Sequence, residues 1–177
     1  MLIVGAGPIG LMHAKLAKIS GAGAVIMHDL SKERLELCTS IDPSFIPADQ
    51  DNLKEIIKKH SGGRGLDVAV TAAPAPQAQV LVLELMALDG RVSFFGGLPA
   101  GREMVSLNTN LIHYNQIAVS GTSRQNLRQY RKTLELITKR IVTVNDLITD
   151  RYSLENVSAA LDKAGRGLGI KHAVEFR

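Results

Sequence analysis

Only one cysteine, Cys38, occurs in this 177-residue chain. An intrachain disulfide is therefore impossible, and a cysteine-rich zinc site is excluded. On its predicted helix, Cys38 reads as a small buried apolar side chain. No apolar run reaches the roughly 18 residues of a membrane-spanning helix, so no membrane span is expected. A signal-peptide pattern and low-complexity segments are also missing. With neither targeting signals nor disulfides, the default location is the cytoplasm. The charge excess is small, 21 Lys and Arg against 17 Asp and Glu. Most of it lies on one predicted helix over 124–141, in Arg124, Arg128, Arg131, Lys132, Lys139 and Arg140, with 124, 128 and 131 sharing a face. No aromatics interleave with these charges, so they read as a solvated face and nucleic acid is not expected as a partner. His13, His28, His60, His113 and His172 are scattered without metal-ligand spacing. No Ser–His–Asp arrangement or carboxylate cluster is recognisable, so no catalytic and no metal-binding residue is assigned.

The chain does carry a glycine run at its start, Gly5-Ala6-Gly7-Pro8-Ile9-Gly10, between the apolar Leu2-Ile3-Val4 and a helical stretch, with Asp29 nineteen residues after Gly10. Gly5 allows a tight strand-to-helix turn. Gly7 leaves room for a pyrophosphate against the backbone, and Gly10 lets helix and strand pack closely. The pyrophosphate would rest on free N–H groups at the positive end of the helix. Asp29, at the end of the second strand, would accept hydrogen bonds from the adenosine ribose hydroxyls. A carboxylate there repels a 2′-phosphate, which favours NAD over NADP.

Apolar runs at 2–4, 24–28, 44–47, 67–72, 91–96 and 116–121 read as short buried strands. Helical patterns near 8–20, 32–40, 51–60, 76–88 and 124–141 alternate with them. Ser31 is placed to cap the second helix and Asp51 to start the third. Gly21 and Gly90 follow helices, where a left-handed residue is expected. Pro74 and Pro76 shape the turn into the fourth helix. This rhythm predicts an α/β fold, a doubly wound parallel six-stranded sheet in the order 3-2-1-4-5-6. The long connection from Gly97 to Asn115 follows the fifth strand at the ligand-binding edge. The tail from Asn145 to Arg177 breaks the rhythm: Ser153 can cap a short helix ending near Gly165, and His172 to Phe176 alternates like a strand. The first strand is short for a central one, which reads as a chain cut from a longer protein.

Several of these segments together resemble the zinc-dependent medium-chain dehydrogenases, within them the sorbitol and threonine dehydrogenase branch. They are the glycine run, His28-Asp29-Leu30-Ser31 with Arg34, Gly62-Gly63-Arg64-Gly65-Leu66-Asp67, Asp89-Gly90-Arg91-Val92 into Phe95-Gly96-Gly97, Ile112-His113-Tyr114, Val119-Ser120-Gly121 and the closing Gly165 to Phe176 stretch. The resemblance implies a Rossmann-fold cofactor domain over 1–144 and a tail over 145–177 that packs on a catalytic domain absent from this chain. Zinc is expected only in that absent domain, which also carries most of the pocket for a small alcohol or polyol. The resemblance further implies that Gly5, Gly7, Pro8, Ile9 and Gly10 cradle the pyrophosphate. Leu30 lies against adenine, and Arg34 reaches the ribose beside Asp29. Ala72 and Ala73 pass close to the nucleotide. Gly96, Gly97 and Leu98 hold the nicotinamide carboxamide through the backbone, with Ser120 and Gly121 lining the same end. The expected activity is hydride transfer between a secondary alcohol and nicotinamide, with the fragment alone inactive. The edge strand 116–121 is expected to join two copies in a homo-oligomer. A stand-alone NAD(H) sensor and an S-adenosylmethionine-dependent methyltransferase are the rival readings.

Overall fold

The computed structural model describes residues 1–176. They form two compact units, one of residues 1–126 and one from Leu127 onward. The division falls ahead of the functional boundary at 144 that the resemblance implies.

The first unit is a six-stranded sheet. Its strands are β1 (Leu2–Val4), β2 (Ile26–His28), β3 (Ile46–Ala48), β4 (Leu66–Thr71), β5 (Met86–Phe94) and β6 (Ala118–Gly121), and between them run α1 (Pro8–Ile19), α2 (Lys32–Ile41), α3 (Leu53–Ser61), α4 (Pro76–Glu84) and α5 (Thr109–Tyr114). The strand order is β3-β2-β1-β4-β5-β6, as the alternation predicts, and every pairing is parallel. Alternate strand residues divide the core between two faces. Leu2, Val4, Ile26, Ala69 and Val92 pack with Leu53, Ile57, Val82 and Leu83 of α3 and α4. Ile3, Met27 and Val70, also buried, point the other way, and α1 and α2 bury Leu11, Ala14, Ala17, Leu35 and Cys38. Central strands covered on both faces need no polar alternation, which is why Leu2–Val4, Ile26–Met27 and Val68–Val70 run apolar without a break.

Local chemistry sets the element ends. Ser31 caps α2 as expected, its hydroxyl accepting from the Arg34 N–H at 3.2 Å. Gly21, just past α1, has the left-handed φ of +86°. Asp51 does not start α3. The carboxylate that organises this turn is Asp49, which accepts from the N–H groups of Asp51 and Asn52 at 3.0 and 3.1 Å. The fourth helix stops at Glu84, short of 88, and Met86 to Gly90 already belong to β5. Gly90 is consequently no helix terminus: the left-handed residue is Asp89, with φ +58°. Gly90 is glycine for want of space, since a Cβ would lie 3.0 Å from the Ala87 carbonyl oxygen and 3.1 Å from that of Leu66. The β4–β5 register shifts there, from Leu66↔Met86 to Val68↔Arg91. The sixth strand is shorter than 116–121, because Gln116 adopts φ +52° and pairing begins at Ala118.

The second unit holds α6 (Leu127–Thr138), β7 (Ile148–Ser153), α7 (Val157–Gly165) and β8 (Lys171–Glu175). Arg124 lies before α6 with φ +62°, so it does not share a helical face with Arg128 and Arg131. The tail adds nothing to the six-stranded sheet. It forms its own parallel pair, β7 with β8, joined through α7. Ser153 makes no side-chain cap.

Candidate functional site

The three glycines of the first turn have three different physical reasons. Gly5 takes φ +108°, and a Cβ there would stand 3.1 Å from the Ala73 nitrogen and 3.2 Å from the Ala72 carbonyl carbon. Its N–H donates to the His28 carbonyl at 2.7 Å, so the turn is locked to the end of β2. A Cβ on Gly10 would collide with the carbonyl oxygen of Gly5. Close helix–strand packing therefore demands glycine at position 10. Gly7 is different: its φ is an ordinary −79° and nothing lies within 4 Å of where its Cβ would be. Glycine there keeps a surface open. Pro8 occupies the first turn of α1 and no side chain caps it. The N–H groups of Ile9 and Gly10 lack intrahelical acceptors and form the positive end of the helix dipole. That is a cradle suited to an anion.

Asp29 follows β2 directly. Its Oδ2 accepts from the Ala6 N–H at 2.8 Å and its Oδ1 from the Ser31 N–H at 2.9 Å. The carboxylate is thus held from both sides by backbone, and Arg34 Nη1 stands 3.9 Å from Oδ2. Next to it, Leu30 is 78% exposed, a large apolar side chain left open beside a cleft.

That cleft has a volume of about 830 Å³ and is lined in part by Gly5, Asp29, Leu30, Arg34 and Ala73. The structure thus gathers five of the expected residues at one place, the carboxyl end of the sheet, where doubly wound folds bind ligands. Gln50, Lys54, Gln77 and Glu84 line the same cleft without a sequence assignment, and so does His28, which the sequence offers only as a scattered histidine and as the residue before Asp29. Two of them carried a readable signal: Gln50 follows the third strand and Gln77 begins the fourth helix, both at the ligand-binding edge. His28 is buried, and its Nδ1 lies 2.8 Å from the Ala48 carbonyl oxygen. Nδ1 is therefore the protonated nitrogen there, donating across the β2–β3 pair. A second cleft of about 830 Å³ includes Gly21, Ala24 and Asp67 in its lining, at the amino ends of the strands. It lies at the wrong edge for this fold's ligands.

Beyond the glycine turn, the remaining expected residues are outside the lining of this cleft and follow the carboxyl ends of β4, β5 and β6. The Gly96 N–H donates to the Thr71 carbonyl at 2.7 Å, and a Cβ there would approach the Ala73 carbonyl oxygen to 2.9 Å. Gly97 has open space around it. Ala72 N–H is engaged by the Val4 carbonyl at 2.7 Å, so its backbone serves the sheet. The Ser120 hydroxyl donates to the Val92 carbonyl at 3.2 Å, tying β6 to β5. Leu98 and Gly121 end this group.

Residues 8–139 match the zinc-binding dehydrogenase family. This chain belongs to that family. Sorbitol dehydrogenase of Bacillus subtilis is 37% identical over 164 residues, which are 92% of this chain and 45% of that protein. L-threonine 3-dehydrogenase of Cutibacterium acnes is 27% identical over 172 residues, 97% of this chain and 49% of that protein. This member of the zinc-binding dehydrogenases therefore spans about half the length of the curated relatives it matches. Among solved structures, the alcohol dehydrogenase of Thermus sp. ATN1 superimposes with a TM-score of 0.85 at 23% identity, covering 99% of this chain and 50% of that one. A short chain alcohol dehydrogenase of Escherichia coli CFT073, complexed with NADH, gives a TM-score of 0.78 at 23% identity, covering 99% and 50%.

The zinc that names the family has no ligand set among the described residues, where no three His, Cys, Asp or Glu converge to hold a metal ion. Cys38 is buried, and burial together with the Asp42 carboxylate pushes its thiol pKa up to about 12. No helix of the described residues is long and apolar enough to cross a membrane.

Proposed function

We propose that this chain is the NAD(H)-binding part of a zinc-dependent dehydrogenase that moves hydride between a secondary alcohol or polyol and nicotinamide. The observation that carries the reading is the Asp29 carboxylate, fixed by Ala6 and Ser31 N–H groups beside an open cleft and an uncapped helix start. The names of the relatives, a sorbitol and a threonine dehydrogenase, support the reaction class, and the neighbour complexed with NADH supports the cofactor.

In this reading Gly5, Gly7, Pro8, Ile9 and Gly10 hold the pyrophosphate against the start of α1. Asp29 takes the ribose hydroxyls with Arg34 beside it, and Leu30 covers one face of adenine. Ala72 and Ala73 back the nucleotide. Gly96, Gly97, Leu98, Ser120 and Gly121 place the nicotinamide end. When bound, the cofactor supplies a hydride donor or acceptor. The chain supplies its orientation, which is where such a domain contributes to rate. Residues 1–144 act as the cofactor-binding part and 145–177 as a tail for a catalytic part outside this chain. The fragment alone turns over no alcohol. Two copies join through the edge strand of 116–121.

The deciding experiment is titration with NADH and NADPH, followed by nicotinamide fluorescence. Tighter NADH binding is expected, because the Asp29 carboxylate repels a 2′-phosphate. Binding of neither nucleotide, with S-adenosylmethionine binding instead, overturns the proposal.

A further inference from the structure

Phe95 leaves β5 on the α1 side of the sheet. Its ring meets His13 of α1 edge to face, with centroids 4.5 Å apart and planes at 82°. The next residue, Gly96, is held to the end of β4 by its 2.7 Å hydrogen bond to the Thr71 carbonyl, with no room for a Cβ against the Ala73 backbone. Gly97 then has nothing within 4 Å of its Cβ position. The chain turning out of β5 thus has two anchors. One is backbone and fixed by the sheet. The other is a single aromatic contact to the same helix whose first turn forms the glycine cradle.

We propose that His13 is a positioning residue for the nicotinamide half of the cofactor, acting through Phe95 on Gly96, Gly97 and Leu98. The inference rests on the NAD(H) reading of the site. His13 stands beyond the first turn of α1, which contains Pro8, Ile9 and Gly10, so it couples the placement of that helix to the segment that receives the nicotinamide end. Partial burial lowers the His13 pKa from its ordinary value of 6.5, which keeps the ring neutral at neutral pH. A neutral ring packs against Phe95 without carrying a charge into a half-buried site. Nothing in this contact reaches the adenosine cleft, whose lining does not include His13 or Phe95. The two halves of the cofactor should therefore feel the contact differently.

The test compares NADH with ADP-ribose, which keeps the adenosine, pyrophosphate and second ribose but lacks nicotinamide. Binding to the native chain, His13→Ala and His13→Phe is measured by calorimetry. An edge-to-face pair is worth roughly two- to tenfold in an equilibrium constant. His13→Ala is expected to weaken NADH by that factor and leave ADP-ribose unchanged. His13→Phe, which keeps an aromatic ring against Phe95, restores NADH affinity. Equal weakening of both ligands means that α1 itself has shifted and overturns the positioning role, as does no change in either. If the native chain binds neither ligand, the NAD(H) reading fails and this inference falls with it. Binding of both with no discrimination by the variants sinks only the inference.

Discussion

Asp29 Oδ2 accepts a hydrogen bond from the Ala6 N–H at 2.8 Å, which joins the end of β2 to the glycine turn after β1. With Gly5 N–H on the His28 carbonyl, two neighbouring amides of the turn are tied to the last residue of β2 and the residue that follows it. The acid proposed to take the ribose is thus also a brace of the glycine turn. A ligand hydroxyl adds to a carboxylate already oriented, with little ordering left to do on binding.

That double use separates two substitutions. Asp29→Asn keeps one oxygen acceptor and should retain much of the brace while losing the charge. Asp29→Ala loses both. NADH affinity is expected to fall in each by at least about tenfold, since a hydrogen bond to a charged group is worth ~1.5–3 kcal/mol. Only Asp29→Ala should also lower the melting temperature appreciably. Asp29→Asn should narrow the preference for NADH over NADPH. Unchanged NADH affinity in both variants would remove Asp29 from the site.

Gly7 and Gly10 make a matched pair with opposite expectations. Gly7→Ala places a methyl in open space at an ordinary φ. Stability should move by no more than about 0.5 kcal/mol, the gain from a stiffer unfolded chain offsetting the poorer N-cap. Cofactor binding should weaken at least about tenfold. Gly10→Ala drives a Cβ into the Gly5 carbonyl oxygen and should cost about 1–3 kcal/mol of stability or more. Urea unfolding read beside NADH titration separates the two effects. Equal destabilisation by both alanines would mean that Gly7 is glycine for the fold alone.

The residues that were legible in sequence are those whose signal is local. The three glycines, Ser31 as a cap and the buried runs of β1, β2 and β4 each follow from a single turn, cap or apolar pattern, and strand order follows from right-handed crossovers. What was missed depends on distant partners. The β7 strand, Ile148–Ser153, carries Asp150 and Arg151 and lacks β-forming uniformity. It exists because β8, some twenty residues later, pairs with it and Arg151 meets Glu175 at 2.7 Å. Gly90 looks like a helix terminus in sequence, yet the register shift against β4 is what requires it. Asp51 lost the start of α3 to Asp49, two residues earlier, because the backbone geometry after β3 decides which carboxylate reaches the amides. In the cleft, His28 and Lys54 give no spacing signal of their own; only the folded edge brings them beside Asp29.

Acid should loosen the link between α1 and the end of α2. Partial burial pushes the Asp42 pKa up, but hydrogen bonds from Lys18 and Ser44 and the Lys18 charge outweigh it and hold the pKa at about 2, below the ordinary 3.8. The Lys18 Nζ–Asp42 Oδ2 distance is 2.7 Å, with Lys18 well exposed. A carboxyl group whose pKa is depressed on folding stabilises above the unfolded value, and that stability is lost as pH falls from about 4 towards 2. Solvent screening reduces the pair to about 1 kcal/mol. Asp42→Asn should be less stable than the native chain by that amount at neutral pH, and the gap should close as the pH drops below 4. A gap that is constant with pH would place the effect in packing.

The last β-strand of the sheet, β6, pairs on one side only, with β5. All four of its residues are exposed. An unpaired parallel edge presents N–H and C=O groups to any second strand, and the proposed homodimer uses it. Successive N–H groups in a strand point to opposite sides. One of Val119→Pro and Ser120→Pro must therefore remove an outward donor, and the other an inward donor to β5. The outward variant should dissociate the dimer in sedimentation experiments with its melting temperature nearly unchanged. The inward variant should lower the melting temperature by weakening the β5–β6 ladder. A native chain that stays monomeric at high micromolar concentration would exclude this edge as a stable interface on its own. A dimer that survives both prolines would move the interface away from β6.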